Sequence, residues 1–105
     1  MIRFHKFHCP NTLLLEFTLD KAITPDLLKR LEPPDPVVEN FSHKGIILSG
    51  RGPVWLYGFL VHFYHPTPWV AIYDPRLVGA VVVESHTPDR SVGDLIPQSQ
   101  WRRVE

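Results

Sequence analysis

The apolar residues of this 105-residue chain fall in short blocks divided by proline, glycine and charge, and the spacing inside each block predicts its structure. Ile2 to Phe7 and Thr12 to Thr18 alternate or run apolar on either side of Cys9-Pro10-Asn11, which predicts an antiparallel hairpin. Thr24-Pro25-Asp26 predicts a short helix with threonine as N-cap and proline in its first turn, and Leu27, Leu28 and Leu31 supply its buried stripe. Pro33, Pro34 and Pro36 end that helix and lead into a stiff connection reaching Ser42. Gly45 to Leu48 predicts a buried strand, Ser49-Gly50-Arg51-Gly52-Pro53 a tight turn, and Val54 to Tyr64 a second helix with Pro53 at its first position. This helix is apolar on every side, so it is expected inside the core or against a second subunit. With few helices to cover it, a dimer interface is expected. Trp69 to Tyr73 and Ala80 to Val83 predict two further strands around an Asp74-Pro75-Arg76 turn. From Thr87 the chain is polar and broken by proline, so residues 87–105 are expected as an extension with little firm structure on a core at 2–86.

The strand–helix–strand from Gly45 to Tyr73 predicts a right-handed parallel crossover, and the flanking hairpins make the sheet mixed. The expected fold is a single α/β domain over 1–105, small and Rossmann-like, with about five strands and two helices. Composition narrows the function. Hydrophobic residues make up 44%, enough for a core, yet a domain of this size often oligomerises. Formal net charge is zero, which argues against gripping duplex DNA and favours a compact ligand. The lone Cys9 permits no disulfide within the chain, and no apolar run approaches the ~20 residues of a membrane span. A cytoplasmic location without a membrane partner is expected.

The candidate chemistry starts at the Ser49 to Pro53 turn. Glycines let backbone N–H groups crowd together, a helix start adds about half a positive charge, and Arg51 offers a planar fork for phosphate. The Lys-Ser/Thr pair of a P-loop is missing. Ser49, Gly50, Arg51 and Gly52 are therefore candidate ligand contacts. Strand direction puts Asp74 and Arg76 at the same sheet edge, where α/β proteins bind ligands. His62, His65, Glu84, Ser85 and His86 fall at the opposite edge, about 20 Å away along a six-residue strand. One chain is thus expected not to bring His65 and Asp74 onto the same atom, and the two edges can meet only between subunits stacked head to tail. Each feature also has a plain reading: a tight connection at Ser49 to Pro53, imidazoles near a helix end, an ordinary turn at Asp74.

The runs SGRGPVWLYGFLVH, YHP and YDPRL, within Gly45 to His86, closely resemble the small CRISPR-associated Csx-type proteins known as the third CRISPR ring nuclease family. The resemblance implies a fold related to the sensor domains of type III CRISPR effectors (CARF domains). It implies homodimers that stack head to tail into tetramers or filaments around cyclic tetra-adenylate. It also implies manganese-supported cleavage of that ring, which switches the effectors off. By motif, His65, Asp74 and Arg76 are the expected catalytic residues, with His86 as a further one, and Asp74 and His65 are the expected metal ligands. Ser49, Gly50, Arg51 and Gly52 are the expected ligand contacts. Alternatives are a manganese-dependent 3′ deadenylating exoribonuclease acting on linear RNA ends, a non-catalytic sponge or sensor, and a purely structural subunit.

Overall fold

In a computed structural model that describes residues 2–101, the N-terminal hairpin forms as β1 (Ile2–Cys9) and β2 (Thr12–Leu19). Asn11 takes the left-handed φ of 62° that the tight turn needs. The strands β3 (Gly45–Ser49), β4 (Trp69–Asp74), β5 (Gly79–Ser85) and β6 (Leu95–Pro97) extend one sheet in sequence order. β2, β3 and β4 run parallel, and the pairs β1/β2, β4/β5 and β5/β6 are antiparallel. The helix α1 (Val54–Tyr64) carries the chain from β3 to the parallel β4. The mixed α/β sheet agrees with the expected class.

The two-residue period of the strands divides the core between the faces of the sheet. Leu13, Leu15, Phe17, Ile46, Leu48 and Val70 face α1 and meet Leu56, Leu60 and Tyr64. Leu14, Ile47, Ala71, Ala80 and Val82 face the other way and meet Trp69, Ile96 and Trp101. Each fully buried leucine contributes about 1.5–3 kcal/mol.

Three expectations change. The segment after Thr87 is not loose: Leu95–Pro97 adds a sixth strand, and Ile96 and Trp101 cap the second core, with the Trp101 indole N–H donating to the Ile96 carbonyl at 3.2 Å. Residues 102–105 lie outside the described ones. The first helix is only a 3-10 turn over Pro25–Lys29, with no side-chain bond from Thr24 and no buried residue. Only seven residues separate Pro25 from Pro33, too few to offset the cost of nucleating an α-helix. Within one chain the all-apolar α1 is covered along one stripe rather than sandwiched in the core, the alternative to the dimer interface expected for it. Leu56, Leu60 and Tyr64 form the buried stripe, the flanking aromatics are half covered, and Val54 is 85% exposed. Pro53 is the N-cap rather than the first helical residue.

Ile23, Leu28, Leu31 and Phe41 pack against the α1 side of the core. The connection is pinned where the Tyr64 hydroxyl donates to the Pro34 carbonyl at 2.8 Å. Burial, and secondly the negative charge of Asp35, pushes the Tyr64 phenol well above its ordinary value. The group is raised in the folded state, so its stabilising contribution is complete below the unfolded value near 10 and is lost as pH climbs past it. Stability is expected to fall from about pH 10 upward, and Tyr64→Phe is expected to flatten that fall. Urea titrations at about pH 9 and about pH 11 check this.

Candidate functional site

The parallel run of β2, β3 and β4 brings three C-terminal strand ends to one edge. There, Glu16 to Leu19 and Ser49 to Arg51 line a depression of about 360 Å³. The turn after β3 is shaped by Phe17. A Cβ on Gly50 would lie 2.6 Å from the Phe17 carbonyl oxygen, and one on Gly52 would lie 2.9 Å from its ring. Both glycines are therefore needed for close packing as well as for any ligand approach. The Tyr57 hydroxyl donates to the Gly50 carbonyl, and its ring meets Phe17 edge-on at 5.3 Å. Tyr57→Phe keeps the ring and loses the bond. It is expected to cost about 1 kcal/mol, read by urea denaturation.

Asp74 ends β4 at the same edge. Its Oδ1 accepts the backbone N–H of Arg76 at 2.9 Å and its Oδ2 lies 3.5 Å from the Arg76 guanidinium. The backbone bond first, then the Arg76 side chain, hold the carboxyl below the ordinary aspartate range despite some opposing desolvation. Asp74 is therefore an anion at neutral pH. The Arg76 side chain is 89% exposed, so its charge projects into solvent at this edge, where Arg51 is also exposed.

The opposite edge is built by the end of α1 and the end of β5. His65 is the C-cap of α1, and its N–H donates to the His62 carbonyl at 3.3 Å. Glu84 stands opposite Val70, and the His86 N–H donates to the Pro68 carbonyl at 2.8 Å. The Glu84 carboxylate lies 3.0 Å from His86 Nε2, and the rings of His65 and His86 are 5.3 Å apart. One donor atom from each of His65, Glu84 and His86 falls within 4.8 Å of the others. Among the described residues, this is the convergent group of three or more metal-ligating side chains. His62 stands beside it, its ring 6.2 Å from that of His65.

The expected residues thus fall into two groups. Ser49, Gly50, Arg51 and Gly52 share an edge with Asp74 and Arg76, while His65 shares the other edge with His86. Asp74 and His65 flank opposite ends of β4 and do not meet within a chain. Among the described residues Asp74 belongs to no group of three or more metal-ligating side chains, and the carboxylate that stands by His65 is Glu84. Sequence reasoning placed Glu84 at this edge without giving it a role. Its signal was the two-residue spacing to His86, which puts both on one face of a strand. Nothing in the sequence marked the part played by Phe17 and Tyr57.

Comparison with known proteins covers both edges. The sequence model of the CRISPR-associated protein family Cas_csx3 matches residues 16–97. A protein of Aquifex aeolicus (strain VF5), described only as uncharacterized, is 56% identical over 86 residues, covering 82% of this chain and 78% of that protein. The matched span carries every candidate ligand, metal and catalytic residue named above, and on that match the chain belongs to the CRISPR-associated Cas_csx3 family.

Proposed function

We propose that the protein is a ring nuclease: it binds cyclic tetra-adenylate and cleaves a phosphodiester of the ring with the help of a divalent ion, ending type III CRISPR signalling. The observation that carries this reading is the division of labour between the two sheet edges. One edge offers the Ser49 to Gly52 turn, the uncapped start of α1, Arg51 and Arg76, which together suit phosphate. The other offers two imidazoles and a carboxylate, which suit proton transfer and a hard-to-borderline ion such as Mn2+. A strand's length separates them, so a ligand that needs both lies between two copies stacked head to tail.

His65, Glu84 and His86 would hold the ion, and its donor set fits. Bound there, a divalent ion supplies positive charge to a phosphodiester and acidifies water. The chain's own groups do the rest. Backbone N–H groups at Gly50 and Arg51 orient the ring. Arg51 and Arg76 stabilise negative charge gathering on phosphorus, and Asp74 holds Arg76 in place. Each imidazole would give the ion one ring nitrogen, which leaves the N–H of the other to donate a hydrogen bond to the attacking or leaving oxygen.

A composite site of this kind has a direct test. Asp74→Ala and His65→Ala proteins should each be nearly inactive alone. Mixed in equal amounts, they should regain roughly a quarter of wild-type activity if copies stack at random, because some interfaces then pair an intact upper edge with an intact lower one. No recovery on mixing would rule out a site shared between copies.

A further inference from the structure

We infer that the divalent-ion site is complete within one chain: His65, Glu84 and His86 bind a single ion without Asp74, without a second copy and without nucleotide. The inference deepens the lower edge of the proposed reading, on which it rests only for what the ion is used for. A Glu84–His86 pair alone would be an ordinary partly exposed surface pair, of small energetic weight. Its distinction is that a second imidazole, from a different element, converges on it.

That convergence is produced by a β-bulge. Val82 stands opposite Ala71, but Glu84 stands opposite Val70, so Val83 is an extra residue in β5. Ala80 and Val82 face the Trp101 side of the sheet. Unbroken alternation would send Glu84 and His86 to that same side. The inserted residue reverses the parity and turns both toward the α1 side, where His65 waits at the helix end. The residues around the bulge are fixed. The Val82 N–H donates to the Asp94 carbonyl at 2.9 Å and the Val82 carbonyl accepts from Gly93 N–H at 2.8 Å.

The other arm is equally firm. Buried Thr67 bridges α1 and β4, its hydroxyl donating to the Tyr64 carbonyl at 2.7 Å and its N–H to the same oxygen at 3.0 Å. Both arms are therefore held by packed backbone rather than by the ion, as a site that loads on its own requires. Donors on one ion lie at most about 4.2 Å apart, twice a metal–nitrogen bond. The present spread of 4.8 Å closes with a small rotation of side chains that are exposed or half-exposed. Asp74, at the far end of β4 and engaged with Arg76, cannot reach.

The test is titration of the full chain with Mn2+ alone, following loss of the free-ion electron paramagnetic resonance signal, and with Co2+, following its visible absorption. One ion per chain is expected, with an affinity that does not vary with protein concentration. His86→Ala and Glu84→Gln should each weaken binding by about 100-fold, whereas Asp74→Ala should stay within about threefold of wild type. All three positions are at least partly exposed, so near-ultraviolet circular dichroism should match wild type, and Glu84→Gln keeps the side chain's shape where alanine does not. Loss of binding in Asp74→Ala as large as in His86→Ala would overturn the inference. So would binding that needs stacked copies or added cyclic tetra-adenylate. Chelator-sensitive ring cleavage with no ion on the triad would sink this inference and leave the proposed function standing. An ion on the triad with the ring left intact would do the reverse.

Discussion

His65→Ala is expected to slow the breakdown of cyclic tetra-adenylate by about 10²–10⁴-fold while leaving the affinity for the ring nearly unchanged. The two halves of that expectation come from the two sheet edges. His65 is exposed at the end of α1 and packs into no core, so its loss should not unfold the chain. In the proposed reading it is an ion ligand at the lower edge, and alanine removes that donor. The upper edge is untouched: Ser49 to Gly52, Arg51 and Arg76 sit at the opposite edge of the sheet, and in the proposed reading they are the groups that grip the phosphates. Turnover and binding should therefore separate. Turnover is read by product analysis under excess substrate, and binding by titration of labelled ring in the presence of chelator. Equal losses in both would mean that His65 holds the ligand rather than cutting it.

Gly45→Ala is expected to destabilise the protein by about 3 kcal/mol, lowering its melting temperature by on the order of 10–20 °C. Gly45 opens β3 in the middle of the sheet, and the indole of Trp69 lies flat against its Cα. A Cβ there would fall 1.8 Å from Trp69 Cε2. The indole has little room to move. It is 6% exposed, packs with Ala71, Val82 and Trp101, and carries the Arg90 guanidinium on its open face at 5.2 Å from the ring centre. Because the cost arises from one pair, it should not add to that of Trp69. The double variant Gly45→Ala/Trp69→Leu should be clearly less destabilised than the sum of the two single variants. Additive losses in urea denaturation would place the strain elsewhere.

Much of the two-edge plan was legible in the chain. Strand direction follows from the turn residues at Asn11, Ser49 to Pro53 and Asp74 to Arg76, and direction alone sorts Arg51 and Asp74 from His65 and His86. The sixth strand was hidden because it is three residues long and framed by polar residues and proline. Its signal was the isolated pair Ile96 and Trp101 in a polar stretch, each too apolar to be left in water. The first helix was over-read because a good start at Thr24 says nothing of how few residues follow before Pro33. The candidate ion site was half legible. Its residues were placed at the right edge, but their face depends on the bulge at Val83, and three consecutive valines leave no mark of which one is extra. The role of Gly45 was hidden too, since nothing local to β3 shows that an indole from the next strand will lie on it.

The most direct test of the central claim is incubation of the purified protein with cyclic tetra-adenylate, with Mn2+ or with chelator, resolving products by chromatography and mass. Metal-assisted ring cleavage predicts many turnovers to linear oligoadenylate, abolished by chelator. Tight binding with the ring intact in both conditions would contradict it and make the protein a sequestering module.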